Sequence, residues 1–196
     1  MQPALASDDA SIPSPRPAAT FGDAGRLGDV HWRLLAARAL VGWVPPFVAS
    51  RVRTRLLRAA GIAIGKSSAF WGFPRLVGSG AIERRLVIGA HCGFNAGAFF
   101  ELENSVTIGD HVSVGQHVTF LTRTHAVGPP GERAGARRRA PIVVGNGAWL
   151  GARATILAGV TIGARSVIGA GVTVIKDVPE DTLLTGAPPI SIARWR

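Results

Sequence analysis

A mainly β fold, a parallel β-helix assembled from stacked six-residue steps, is what this sequence predicts, and three observations predict it. First, an aliphatic or aromatic residue recurs every six positions at Ile64, Phe70, Leu76, Ile82, Ile88, Phe94 and Phe100. After a slip of two residues the series resumes at Ile108, Val114 and Phe120, and it returns in frame at Val144, Leu150, Ile156, Ile162, Ile168 and Val174. Second, glycine follows many of these positions, at Gly65, Gly89, Gly109, Gly115, Gly145, Gly151, Gly163 and Gly169. Third, glycine is in excess (25 residues), and many of them recur at regular spacing. A helix repeats at 3.6 residues and an ordinary strand at 2, so neither explains the period. A hexapeptide period is the mark of a parallel β-helix. Each step makes one short strand and one sharp turn, and three steps close a triangular coil of about 18 residues. The periodic side chain points into the prism, and the coils stack about 4.8 Å apart through backbone hydrogen bonds.

The remaining elements follow along the chain. Residues 1–25 are rich in Pro, Ala, Ser and Asp without hydrophobic period and read as a disordered tail. Residues 26–60 read as a helical cap. Trp32, Leu35, Ala39, Leu40 and Trp43 fall on one helical face, Pro45-Pro46 interrupts, and Val48, Val52, Leu56 and Leu57 begin a second helix. Arg51, Arg53, Arg55 and Arg58 punctuate it, so an Arg-flanked amphipathic element at an anionic membrane is the other reading of this segment. The β-helix is expected over 61–180 and a C-terminal tail over 181–196. Inside the helix the repeat breaks at 126–141, just after His125, with three Pro, three Gly and four Arg counted from His125 to Pro141. No coil fits that composition, so a loop protruding from one corner is expected, and long loops in compact domains are usually functional.

Composition narrows the function classes. The formal net charge of +10 admits nucleic acid, an acidic membrane or an anionic small molecule as partner. The charge clusters at Arg26–Arg58 and at Arg133, Arg137, Arg138 and Arg139; the second carries no interleaved aromatics such as a nucleic-acid platform would require, and no nucleic-acid partner is expected. Cys92 is the single cysteine, which excludes an intrachain disulfide and zinc-knuckle spacing and fits a reducing compartment. The first residues lack a secretory pattern, and Leu34–Ala49 is too short and interrupted to span a bilayer. A cytoplasmic protein, at most peripheral to a membrane, is expected.

The stretches Val106-Thr-Ile-Gly-Asp110, Pro141–Gly151 and Gly159–Gly171, with the closing Lys176–Pro188, resemble the hexapeptide-repeat acyltransferases. Within that family the resemblance is to the galactoside, maltose and nodulation-factor branch and to polysaccharide O-acetyltransferases, over roughly residues 60–196. It implies a left-handed β-helix, a trimer with active sites between subunits, acetyl-CoA as co-substrate, no metal, and a sugar hydroxyl as acceptor. His125, fifteen residues after Asp110, matches the catalytic histidine. A hydroxyl is a weak nucleophile until its proton is removed, and histidine, with an unperturbed pKa near 6.5, suits that role at neutral pH. Backbone N–H groups at coil edges would hold the oxyanion, and transfer would be direct. Asn95 and Glu103 match the acceptor-binding amide and carboxylate; the family usually has Asp at the second, and Glu101 is a rival for it. Trp149, Ala152, Ala170 and Lys176 match CoA-binding positions. The family's C-terminal arginines fall here at Ile190 and Ala193, so Arg194 or Arg196 would substitute. Arg137–Arg139 would meet CoA phosphates or an acidic saccharide, or simply be solvated.

Other functions remain open. An antibiotic, an amino sugar or serine is an alternative acceptor, and a non-catalytic solenoid scaffold is an alternative role. A γ-type carbonic anhydrase shares the fold and binds zinc through three histidines. Here His91, His111, His117 and His125 are the candidates, but His111 and His117 are six apart and fall on different prism faces.

Overall fold

The computed structural model describes residues 30–186. The tail expected at 1–25 and Arg194 lie outside the described residues. Three strands close each coil. In chain order, β1 (Ala63–Ile64), β2 (Ala69–Phe70) and β3 (Arg75–Val77) form the first, and β4 (Leu86–Ile88), β5 (Gly93–Phe94) and β6 (Phe99–Glu101) the second. The third is β7 (Val106–Ile108), β8 (Ser113–Val114) and β9 (Thr119–Leu121). A hairpin, β10 (Arg123–Val127) and β11 (Ala134–Arg139), then leaves the prism. The fourth coil is β12 (Ile142–Val144), β13 (Trp149–Leu150) and β14 (Thr155–Ile156); the fifth is β15 (Thr161–Ile162), β16 (Val167–Ile168) and β17 (Thr173–Val174). A last strand, β18 (Leu183–Leu184), starts a sixth and pairs with β16, so the tail expected at 181–196 begins inside the prism. The faces are parallel sheets in the orders β1-β4-β7-β12-β15, β18-β16-β13-β8-β5-β2 and β17-β14-β9-β6-β3.

The 18-residue coil is realised between the fourth and fifth coils, where Val143 faces Thr161 and Thr155 faces Thr173. Elsewhere the chain takes up extra residues at corners and keeps its register. Ala63 pairs with Val87 because a 3-10 turn at Ile82–Arg84 is inserted, and Leu86 pairs with Val106 across the two-residue slip. Ile82 is therefore not in a strand, although it is buried in the core.

The periodic residues from Phe70 onward are buried, except Leu76, which with Ile64 packs half-buried against the core. The aromatic rungs stack in register: Phe70 on Phe94 at 4.4 Å between ring centres, and Phe100 on Phe120 at 4.7 Å. Each such pair is worth about 0.5–1.5 kcal/mol beyond its buried area. The glycines behind the periodic residues have a different cause from the one turn geometry suggests. A Cβ on Gly115 would sit 2.6 Å from the Ala152 nitrogen, and one on Gly151 2.6 Å from the Ala170 nitrogen. Close approach of the next coil requires them. The left-handed corners themselves are mostly occupied by other residues, including His91, His111, His117, Arg153 and Arg165.

Two helices, α1 (Trp32–Val41) and α2 (Ser50–Ala59), cover the first coil. The face of α1 expected to pack is the exposed one. Leu34, Ala37 and Val41 are buried, while Trp32, Leu35, Leu40 and Trp43 stand in solvent. Both faces are apolar, so periodicity alone points to either. On α2, Leu57 is buried, but Val48 before the helix and Val52 within it are exposed and Arg53 is buried in their place. The Arg53 guanidinium donates to the carbonyls of Val44, Pro45, Val48 and Trp71, tying the Pro45-Pro46 linker to the first coil. Burial lowers its pKa from the ordinary arginine range. Among the described residues, no helix is long and apolar enough to cross a membrane.

Candidate active site

His125 stands on β10, immediately before the segment expected to be a loop. The segment is an antiparallel hairpin instead, with Arg123 facing Arg139, Thr124 facing Arg138 and His125 facing Arg137. Its turn, at Pro129-Pro130-Gly131, lets the two strands return on each other, and proline confined to the turn leaves their N–H groups free to pair. The register shifts between His125 and Val127. Such a bulge re-aims the neighbouring side chain, and here the His125 ring reaches the opposite strand. Its Nδ1 lies 2.9 Å from the Gly135 carbonyl oxygen. A carbonyl only accepts, so Nδ1 carries the proton and Nε2 presents its lone pair outward. Gly135 is needed at that point: a Cβ there would lie 3.0 Å from the Ala126 oxygen and 3.1 Å from Gly128 Cα.

Glu101 and Glu103 sit at the root of the hairpin. Glu101, buried at the end of β6, takes the Arg123 Nε at 2.9 Å through one oxygen and the Arg123 backbone N–H at 2.9 Å through the other. Glu103 is 3.2 Å from Arg139 Nη2 and accepts the Ser79 hydroxyl at 3.2 Å. Thus one carboxylate grips each strand of the hairpin. These contacts engage the two acids expected to hold an acceptor: Glu101 grips the strand that carries His125, and Glu103 grips the strand paired with it. Arg123, Ser79 and the Gly135 carbonyl were not legible as site residues in the sequence, and Arg139 was legible only as a candidate for phosphate or an acidic saccharide, not as a partner of Glu103. Their only signal was the run of arginines beside the broken repeat.

Asn95, Trp149, Ala152 and Ala170 come together. They line one groove of about 550 Å³ on the face formed by β2, β5, β8, β13, β16 and β18, with Trp71 and Gln116. Asn95 follows β5 and donates its side-chain N–H to the Val114 carbonyl at 3.3 Å, in the next coil. Half-exposed Trp149 projects from β13. Lys176 is placed apart, in a cavity of about 520 Å³ at the last coil with Asp177 and Leu184. The corner at Ala170–Gly171, where the Gly171 N–H meets the Ala152 carbonyl, lies between the two cavities. The hairpin continues from the β9 face and the groove lies on another, so one chain presents the base and the groove on different faces.

His91, His111 and His117 occupy corners. His91 and His111 stack at 4.8 Å, and His117 belongs to the neighbouring column, where its N–H meets the Ala96 carbonyl. Among the described residues no three His, Cys, Asp or Glu side chains gather as a metal site would require. Cys92 is buried, with its Sγ 3.0 Å from the Gly109 carbonyl, and burial raises its thiol pKa.

Fold and groove together define a hexapeptide-repeat solenoid with an open groove along one face. The model of the bacterial transferase hexapeptide (six repeats) matches residues 141–176. Nodulation protein L of Rhizobium meliloti is 41% identical over 121 residues, which cover 57% of this chain and 66% of that protein. Galactoside O-acetyltransferase of Escherichia coli is 40% identical over 102 residues, half of each chain. The chain thus spans from about half to just under two thirds of the length of these curated relatives. A hexapeptide-repeat acetyltransferase of Vibrio cholerae, solved with acetyl coenzyme A, superposes with a TM-score of 0.67 at 28% identity, over 81% of this chain and 82% of that one. A galactoside acetyltransferase in complex with coenzyme A gives 0.66 at 28% identity, over 81% and 76%. The chain belongs to the hexapeptide-repeat transferases and is related to galactoside O-acetyltransferase and nodulation protein L.

Proposed function

We propose that this protein is an acetyl-CoA-dependent O-acetyltransferase that acetylates a saccharide hydroxyl in polysaccharide biosynthesis, acting in the cytoplasm as a homotrimer. The observation that carries the reading is the His125 ring, fixed through Nδ1 by the Gly135 carbonyl so that Nε2 is the basic atom. Solved relatives bound to acetyl-CoA and CoA support the donor. In the proposed reaction Nε2 takes the acceptor hydroxyl proton as that oxygen attacks the thioester carbonyl. The tetrahedral oxyanion is held by backbone N–H groups at a coil edge. The C–S bond then breaks, and the imidazolium returns its proton to the departing CoA thiolate. Nothing is oxidised or reduced, and no acyl-enzyme forms.

The groove with Asn95, Trp149, Ala152 and Ala170 is wide enough for a pantetheine arm, and its small corner residues leave room along the coils. Lys176 stands at the end nearest a nucleotide phosphate in this reading, and Arg194 is the arginine expected to meet the nucleotide. Because base and groove lie on different faces of one chain, a second subunit is required to bring them together, which supports the trimer. Asn95 is the proposed acceptor-contacting amide and Glu103, with Glu101 as its rival, the proposed acceptor carboxylate; both acids also position the hairpin.

The test is thiol release from acetyl-CoA with a panel of mono- and oligosaccharides, beside His125→Ala. Acceptor-dependent release that falls by about two orders of magnitude or more in the variant is expected. Unchanged release in the variant would remove His125 from the mechanism.

A further inference from the structure

We propose that the exposed face of α1 and the turn after it is a docking surface for an anionic lipid bilayer. Three observations meet there. On α1 the exposed apolar residues Trp32, Leu35 and Leu40, continued by Trp43, lie opposite the buried Leu34, Ala37 and Val41. At about 100° per residue the centres of the two stripes are roughly 165° apart. This helix therefore carries an apolar face to solvent after its core face is satisfied. Trp32 is 70% and Trp43 78% exposed, so little of either ring is shielded.

The second observation is charge. No Asp or Glu occurs from residue 30 to residue 82. On the same helical count Arg33 and Arg38 flank the exposed stripe on its two sides, and both are exposed. Arg51 and Arg55 add exposed cations on α2. Of the other arginines nearby, Arg53 is buried on backbone carbonyls and Arg58 donates to Ile64 and Gly65 carbonyls. Third, Phe47 and Val52 extend the exposed apolar surface beyond α1. Phe47 rests against Trp71, their rings 6.2 Å apart, so the patch borders the candidate groove.

Tryptophan and leucine between arginines is the composition of an element lying in a membrane interface. Amphipathic rings sit at headgroup depth and cations meet anionic headgroups. A second copy placed on this face about a two-fold axis would set arginine against arginine. A nucleic acid would leave the aliphatic stripe unsatisfied. The bilayer answers both the charge and the apolar surface.

The experiment is sedimentation of the full chain with phosphatidylcholine vesicles, with and without phosphatidylglycerol, at low and high salt. Binding is expected with phosphatidylglycerol and to weaken with salt. Trp32→Ala/Trp43→Ala, two exposed positions outside the groove, should weaken it about tenfold or more. Arg33→Glu/Arg38→Glu should abolish it, while both variants keep wild-type circular dichroism and thiol release with a soluble acceptor. The proposal is overturned if the wild-type chain ignores phosphatidylglycerol or if both variants bind undiminished. A fall in molar mass of the Trp variant by light scattering would also overturn it, by assigning the face to a contact between copies. Loss of thiol release with vesicle binding intact would count against the catalytic reading alone.

Discussion

The fourth and fifth coils and the hairpin that precedes them are held together by opposite means. In the coils the 18-residue register is exact, the inward residues Val144, Leu150, Ile156, Ile162, Ile168 and Val174 are buried, and backbone bonds join each layer to the next. In the hairpin nearly every side chain is exposed, and its attachment to the prism rests on Glu101 with Arg123 and Glu103 with Arg139. Stability is thus concentrated where the sequence repeats. The candidate base stands where the repeat is suspended and a few ionic contacts decide geometry. The difference teaches that core substitutions should act on unfolding, whereas substitutions at the hairpin root should act on catalysis.

The strongest challenge to that contrast is Phe100→Ala. Phe100 is fully buried between Phe94 and Phe120, and its loss should cost about 3–5 kcal/mol, read as a lower denaturation midpoint. Next, Arg53→Met should cost about 3 kcal/mol by leaving the carbonyls of Val44, Pro45 and Trp71 without their donor. Its melting temperature should fall while kcat/KM, measured well below the transition, changes little. At the hairpin, Glu101→Gln should lower kcat/KM by roughly tenfold through loss of the charge-assisted bonds to Arg123. The melting temperature should move little, and Glu101→Asp should restore part of the activity. A melting shift as large as that of Phe100→Ala would erase the contrast.

The smallest effect is expected at Asp181, whose carboxylate is held by Arg165 with bonds of 2.6 and 2.7 Å. The Arg165 guanidinium pulls the Asp181 pKa down, so the unfolded chain binds the proton more tightly. The pair's contribution is therefore present above the unfolded carboxylate pKa, about 3.9, and is lost as pH falls through the lower folded value. Asp181→Asn should melt slightly below wild type at neutral pH and together with it in strong acid.

Much of the fold was legible because the repeat is local. An inward side chain every six residues and a glycine where the next coil approaches leave a record in the chain itself, and the coils follow it except at Ile82. His125 was visible for the same reason, since it marks the place where the record stops. The groove was legible through family-matched positions, and the structure gathers Asn95, Trp149, Ala152 and Ala170 into it while setting Lys176 apart.

What only the tertiary structure decided is what depends on residues far apart in sequence. The segment after His125 is a hairpin because Glu101 and Glu103, more than twenty residues earlier, meet its arginines; composition alone read as a loop. The two acids become anchors because register puts them below Arg123 and Arg139. On α1 both faces are apolar, so hydrophobic period could not choose between them. The choice falls to packing: Leu34, Ala37 and Val41 are buried, Leu34 within the prism's core, Arg53 pins the linker, and two tryptophans are left facing out. Periodicity determines which residues share a face, and long-range contacts determine which face is inside.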